Sequence, residues 1–334
     1  MNICLIDADS KIPNLALMRL SAFHKTKGSE VALYKANLPY FPNMRRKKFK
    51  APSGYDAYYC SCVFSGTKEF IVGENIQFGG SGCDLKKTLP LEVENCKPDY
   101  SLYPDNDCSY GFISRGCIRK CSFCFVPEKE GSLREVASIN DIIEHKKVKF
   151  LDNNFLALKN HKAILKELVD RQIKCQFNQG LDIRLVDTEN SKLLSELNYL
   201  GDYLFSFDSL AYLPVIKQKL ELLSWRKPFQ LKFFVYVSPN MSIHETVQRI
   251  EWLKENELLP YIMRDLSCWC SVNKEFYIDI AAYCNQVGIF KKLTFSQFLK
   301  KRTKNLLRIE KSDSLYANKI KAPSSNGQDI TFSM

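Results

Sequence analysis

Near the middle of the chain, Gly116-Cys117-Ile118-Arg119-Lys120-Cys121-Ser122-Phe123-Cys124 spaces three cysteines by three and then two residues. A tight loop with this spacing, opened by Gly116 and closed by Pro127, can aim three thiolates at one point. Three thiolates hold three irons of a [4Fe–4S] cube and leave the fourth iron without a protein ligand, where a small molecule binds. Two other readings of the same residues stand beside this one. Structural zinc takes four closed ligands, often in two Cys-x2-Cys pairs, and no second such pair is present. A chain with thirteen cysteines also groups some of them by chance.

With Phe123 ahead of the last cysteine, the stretch resembles the radical S-adenosylmethionine (SAM) superfamily, whose signature is Cys-x3-Cys-x2-Cys with an aromatic or apolar residue in that place. The resemblance implies Cys117, Cys121 and Cys124 as ligands of a [4Fe–4S] cluster, with Phe123 beside the cofactor. It further implies that the open iron chelates the amino and carboxylate groups of SAM. The reduced cluster would cleave SAM to methionine and a 5′-deoxyadenosyl radical that takes hydrogen from a substrate, with an external one-electron reductant of flavodoxin or ferredoxin type.

Elements that position such a loop follow from residue 110 onward, where strand and helix alternate as in a parallel sheet with crossover helices. Tyr110–Ser114 reads as a strand, and 139–147 as the first helix. Strands at 148–152, 175–179, 203–208, 231–237 and 261–264 are each followed by a helix. Six such units match the partial (β/α)6, TIM-like barrel of the radical SAM family, over about residues 105–290.

Parallel barrels collect chemistry at the C-terminal ends of their strands. Polar residues stand there: Asp152-Asn153-Asn154, then Gln179 through Asp182 and Arg184, then Ser206-Phe207-Asp208, then Arg264-Asp265. By the resemblance, Asp152 and Asn153 take the SAM amino group and Arg184 its carboxylate. Asp182 or Asp208 takes the ribose, and Gln179 orients either. Each of them reads equally as a cap or a buried network, Asp182 by pairing with Arg184. Tyr236 is either a donor to a substrate radical or a packed tyrosine. Cys268, with Cys270 and Cys284, is either a thiol hydrogen donor, part of an auxiliary cluster, or neither. The histidines at 24, 145, 161 and 244 read as surface residues.

The N-terminal part, with strands at 3–7, 30–34 and 55–64 and a helix capped by Asn14 and ended by Gly28, resembles the flavodoxin-like, Rossmann-like domain that precedes the radical domain in cobalamin-dependent members. Those members carry Asp-x-His-x-x-Gly after the first strand, whereas this chain has Asp7-Ala8-Asp9-Ser10-Lys11. The expectation is a cobalamin-free scaffold or substrate platform. Gly79-Gly80-Ser81-Gly82 is an anion cradle or a turn, and 83–108, rich in proline and aspartate, reads as a linker. The cysteines at 60, 62, 83, 96 and 108 are core fillers or a second cluster. The expected domains are 1–104, 105–290 and 291–334, the last a helix with Phe295, Phe298, Leu299, Leu306, Leu307 and Ile309 and then a tail over 322–334.

A chain of 334 residues suggests roughly two domains, and 45% hydrophobic content supports a large core. The first residues lack the basic and long apolar runs of a signal peptide, and no stretch resembles a membrane helix. Without a secretion signal, thirteen cysteines read as reduced thiols of a cytoplasmic protein rather than a disulfide framework. The net charge of +11 gathers partly at Arg45–Lys50 and at Lys300–Arg308, which are solvated loops or nucleic-acid contacts. The main expectation is a radical SAM enzyme acting on a peptide or small molecule. Cys121-Ser-Phe-Cys-Phe-Val-Pro followed by Gly131 also resembles the cluster loop of methylthiotransferases acting on transfer RNA or a ribosomal protein. The remaining alternative is a non-catalytic iron–sulfur or zinc protein that binds nucleic acid.

Overall fold

The computed structural model describes residues 1–39 and 44–302. The expectations for Lys304, Leu306, Leu307, Arg308, Ile309 and the 322–334 tail lie outside the described residues. The chain is of α/β class and divides into two compact units, Met1–Tyr203 and Leu204–Met334. The division runs through the expected 105–290 segment and leaves residues 1–104 in the same unit as its first half.

The first unit begins with β1 (Asn2–Asp7), α1 (Leu15–Thr26), β2 (Glu30–Lys35), β3 (Phe49–Lys50), β4 (Ala57–Ser61), β5 (Ile71–Val72) and β6 (Ile76–Gly79). Four of them make a parallel sheet in the order β2-β1-β4-β6. Its central strand is the apolar run Ile3-Cys4-Leu5-Ile6, wholly buried, as a strand covered on both faces must be. Asn14 caps α1, its Oδ1 accepting from the Leu17 N–H at 3.2 Å, while its Nδ2 donates to Ser61 Oγ at 2.9 Å at the end of β4. Asp9 turns inward and accepts from the Val63 and Phe64 N–H groups at 2.8 and 3.1 Å and from Thr67 Oγ1 at 2.8 Å.

Next come α2 (Leu91–Glu94), β7 (Cys108–Gly111), β8 (Ser114–Arg115), α3 (Val126–Lys129), β9 (Arg134–Glu135), α4 (Ile139–Ile142), β10 (Lys147–Phe150), α5 (His161–Asp170), β11 (Lys174–Phe177) and α6 (Thr188–Glu196). The expected linker is a packed seam instead. Tyr100 and Tyr103 join one buried cluster with Met18, Tyr110 and Leu151. The Tyr110 N–H donates to Tyr100 Oη at 2.7 Å, and Tyr103 Oη donates to Asp7 at 3.0 Å. The first expected helix is cut to one turn, because the N–H groups of Glu144 and His145 both turn back to Ser109 Oγ at 2.8 Å.

Strands β11-β10-β7 form a three-stranded parallel sheet, and β12-β13-β14 a second three-stranded sheet in which β13 and β14 run parallel. Among the described residues the strand pairings thus make two three-stranded sheets rather than one six-stranded barrel. The reason lies at the edge of β11. The Cys175 N–H donates to Asn198 O at 3.1 Å, and the Leu200 N–H to Cys175 O at 2.8 Å. The short segment 198–200 therefore occupies the edge that a fourth strand would need.

The second unit carries β12 (Tyr203–Ser206), α7 (Leu213–Leu222), β13 (Leu231–Val237), α8 (Ile243–Glu255), β14 (Leu259–Arg264), α9 (Lys274–Cys284), α10 (Val287–Lys292) and α11 (Phe295–Lys301). β13 alternates strictly, with Phe233, Val235 and Val237 buried and Phe234 and Tyr236 half-buried. Arg249 of α8 is wholly buried. It donates to Phe207 O at 2.8 Å, to Tyr236 O at 3.3 Å and to Thr246 Oγ1 at 3.2 Å. A cation there ties the ends of β12 and β13 through their carbonyls. Among the described residues no helix is long and apolar enough to cross a membrane.

Replacing Asp9 by alanine leaves two backbone donors without their acceptor, while the Thr67 hydroxyl keeps Phe64 O at 2.8 Å. Removing one partner from a buried, charge-assisted set costs about 1.5–3 kcal/mol. The expected result is a lower urea midpoint at unchanged slope; an unshifted midpoint would show that the 63–67 loop does not need this carboxylate.

Candidate functional site

The cysteine loop starts from a backbone that only glycine adopts without strain. Gly116 has φ +85°, and a Cβ there would sit 2.4 Å from Ser132 O and 2.7 Å from Gly131 O. Its base is clamped by β8 against β9, antiparallel, with Ser114 opposite Glu135 and Arg115 opposite Arg134. Arg115 is held on three sides, by Glu94 at 2.9 Å, Glu130 at 3.1 Å and the face of Phe112 at 4.2 Å. Beyond the cysteines, Lys129 Nζ donates to Ser81 Oγ at 2.6 Å. The glycine-rich 79–82 segment is therefore engaged with the loop of the same unit.

The end of β10 meets this loop directly. Asp152 is buried, and its carboxylate accepts from the Ser114 N–H and Oγ at 2.6 Å each and from the Ile113 N–H at 3.2 Å. Asn153 Oδ1 accepts from the Gly116 N–H at 3.1 Å. Asn154 Nδ2 donates to Cys117 Sγ at 3.4 Å, and the Arg119 N–H reaches the same sulfur at 3.3 Å. Asp182 closes the ring. It accepts from Arg119 Nε at 2.9 Å and takes Arg184 in a two-point grip at 2.7 and 3.0 Å. The alternative reading of Asp182 as Arg184's partner is thus realised, and Arg119 joins the pair.

Cys117, Cys121 and Cys124 are half-buried, while Ile118, Phe123 and Phe125 are exposed around them. The loop turns tightly, with the Cys124 N–H donating to Cys121 O at 3.0 Å. Among the described residues no three His, Cys, Asp or Glu side chains converge as a metal-ligating group. The chain alone does not bring the three thiols to a common point. The donor set nevertheless suits an iron–sulfur cluster: three soft thiols on one glycine-opened loop, with N–H groups aimed at the Cys117 sulfur. Hydrogen bonds to cluster sulfurs are a recognised means of tuning such groups. Asn154 Oδ1 is buried beside that sulfur and accepts no hydrogen bond.

The other expected residues stand differently. Gln179 is exposed. In the second unit, Asp208 Oδ1 accepts from the Tyr236 N–H at 3.2 Å, and Tyr236 Oη donates to Asp265 at 2.9 Å. Burial and then the Asp265 carboxylate push the Tyr236 hydroxyl well above the usual tyrosine range. Cys268 is buried, donates to Val237 O at 3.5 Å and is pushed up to about 12 by burial. Cys270 is exposed and Cys284 wholly buried, and they form no metal-ligating group with Cys268. Of the four histidines only His244 is exposed. His145 packs on Tyr100 with ring centroids 4.6 Å apart, His161 bonds Leu158 O at 2.6 Å, and His24 packs on Tyr59 at 5.2 Å. Within the basic cluster, Arg46 serves the fold, donating to Pro39 O at 2.8 Å and Gly66 O at 2.7 Å.

Arg119 and Asn154 were not singled out by sequence reasoning. The cysteine spacing directs attention to the sulfurs and away from the residues between them, which hid Arg119. Asn154 was visible only as the next polar residue after Asp152 and Asn153.

No protein-family model matches the chain, and no curated protein matches it in sequence.

The two carboxylates titrate in opposite senses. Burial raises Asp152 to about 6, against the lowering effect of its donors. Burial also works to raise Asp182, but Arg184 and Arg119 outweigh it and hold it below 3.8. A raised folded-state pKa gives stability that is full below the unfolded value and is lost as pH rises through about 6; a depressed one gives stability lost as pH falls below 3.8. Carboxyl NMR of Asp152 is expected to show a midpoint near 6. The Asp152 contribution to unfolding free energy should fall by about 2 kcal/mol between pH 4 and 7. A midpoint at the ordinary aspartate value would mean the donors fully offset burial.

Proposed function

We propose that the chain is a radical SAM enzyme in which Cys117, Cys121 and Cys124 hold a [4Fe–4S] cluster. The observation that carries this reading is the convergence on the cysteine loop of the polar residues at the strand ends. Asn153 holds Gly116, Asn154 holds Cys117, and Asp182 holds Arg119. When bound, such a cluster supplies an iron that chelates SAM and the electron for its reductive cleavage.

The residues divide the remaining work. Asp152 is committed to Ile113 and Ser114, so it fixes the approach to the loop, and Asn153 and Asn154 supply the polar edge beside it. Arg119 and Arg184 offer cations near that edge, each already balanced by Asp182, and a methionyl carboxylate would share them. Phe123, exposed on the loop, supplies an apolar surface for the cofactor. Gln179 is the proposed partner of the SAM hydroxyl groups.

In the second unit, Tyr236 and Cys268 both stay protonated at neutral pH and so offer hydrogen atoms rather than metal-ligating anions. Each three-stranded sheet carries helices between its successive strands, an α/β repeat that supports the reading without closing a barrel. The reading takes no cobalamin, uses an external one-electron reductant of flavodoxin or ferredoxin type, and suits a reducing, cytoplasmic setting. A peptide or small molecule is the favoured substrate class over a nucleic acid.

The test is electron paramagnetic resonance on anaerobically reconstituted, dithionite-reduced protein, with chromatography for 5′-deoxyadenosine. The expected result is a [4Fe–4S]⁺ signal that changes on adding SAM, with deoxyadenosine formed. Alanine at Cys117, Cys121 or Cys124 should abolish the iron, whereas Asn154→Ala should retain it with a shifted reduction potential. A signal indifferent to SAM, with no deoxyadenosine, would instead favour a non-catalytic iron–sulfur protein.

A further inference from the structure

Far along the chain from the loop, a second group of thiols lies where the parallel sheet of the first unit ends. Cys60 is the penultimate residue of β4, Cys62 comes just after the strand, and Cys83 follows the glycine-rich segment that begins at the end of β6. Cys60 Sγ and Cys62 Sγ are 3.9 Å apart. Cys60 and Cys62 are buried in one apolar cluster against which the partly exposed Cys83 packs.

The backbone builds this arrangement. The Cys62 N–H donates to Gly79 O at 2.9 Å, and Cys62 O accepts from the Gly82 N–H at 2.9 Å. The next residue is Cys83. The approach is so close that a Cβ on Gly80, which has φ +92°, would lie 2.3 Å from Cys62 O. Two loops are thus fastened to each other through the Cys62 backbone.

We propose that Cys60, Cys62 and Cys83 form a dithiol–disulfide site, in which Cys62 is the reacting sulfur and Cys60 its bonding partner. The oxidant is a hydroperoxide of small size. The Cys62 thiolate attacks the peroxide oxygen and breaks the O–O bond; with hydrogen peroxide itself, the sulfur becomes a sulfenic acid and water leaves. The Cys60 sulfur then attacks the Cys62 sulfur, forming the S–S bond and releasing a second water. Two thiols and one peroxide give one disulfide and two waters, and an external dithiol, itself oxidised to a disulfide, reduces the bond back to two thiols.

Two features of the site favour Cys62 as the reacting sulfur, and a third marks the route to it. Hydrogen bonds from Cys60 first, and also from Thr67 and Cys83, hold its thiol down against its burial, beside the close Cys60 sulfur at 3.9 Å. Cys60 is pushed far up by its hydrogen bond to Cys62 and by burial, and Cys83 to about 12, chiefly by burial. Cys83, the partly exposed member, marks the side from which a small oxidant enters. The buried Cys4 and Cys175 are pushed up to about 11 and 12 by burial and do not compete.

The test uses the whole chain, purified without metal, treated with hydrogen peroxide, alkylated and digested with trypsin. Residues 51–68 carry both Cys60 and Cys62, whereas Cys83 falls in 69–86. The expected result is that 51–68 loses two hydrogen atoms and no longer takes up alkylating agent, and regains both thiols after dithiothreitol. In Cys60→Ala, checked for folding by circular dichroism, Cys62 should stop at a sulfenic acid that reacts with dimedone or should cross-link to Cys83. If 51–68 keeps both thiols free while the exposed Cys270 oxidises, the proposal fails. It also fails if the Cys60→Ala variant, still folded, leaves Cys62 untouched.

Discussion

The carboxylate of Asp152 governs the geometry around the cysteine loop. It takes two backbone N–H groups and a hydroxyl from residues 113 and 114, just ahead of Gly116, and does so with almost no water left to help. A buried anion is tolerable only when donors surround it. The chain therefore has to bring Ile113 and Ser114 to the end of β10, and the path of the loop follows from that demand. Asn153 and Asn154, the next two residues, then face Gly116 and Cys117 without further adjustment.

Around that anchor the charges are shared out in a closed ring. Asp182 balances two guanidinium groups, one from within the cysteine loop and one from its own turn. Arg115 is likewise shared by Glu94 and Glu130. Exposed pairs of this kind add little stability, but networks with a partly buried carboxylate fix direction. In the second unit Arg249 does a related task with carbonyl groups in place of carboxylates, and its Nε is left without a partner. That arrangement favours the position of the strand ends over stability.

Much of this was legible in the residues themselves. The fully apolar β1, the Asn14 cap, the alternation along β13 and the succession of strands and helices all follow local rules of period and capping that one segment can express alone. The strand-end positions of Asp152 and Asp182 were legible for the same reason. What escaped was whatever depends on two distant segments at once. Nothing in residues 198–200 announces that they will seal the edge of β11, and nothing in Pro- and Asp-rich 83–108 announces that Tyr100 and Tyr103 will be core. The shortened α4 has the same origin, since Ser109 lies more than thirty residues from the two N–H groups that it captures.

The tyrosine seam bears on how such a chain can change over time. A flexible tether lets a leading domain be lost, swapped or duplicated with little effect on its neighbour. Here Tyr103 reaches back to the Asp7 carboxylate at the end of β1, and Tyr100 is bonded to the backbone of β7. Residues on either side of the seam answer to one another, so substitutions along Met18, Tyr100, Tyr110 and Leu151 are expected to be inherited as correlated sets. The leading sheet is in that sense a foundation of the cysteine loop's own half and not an attachment to it.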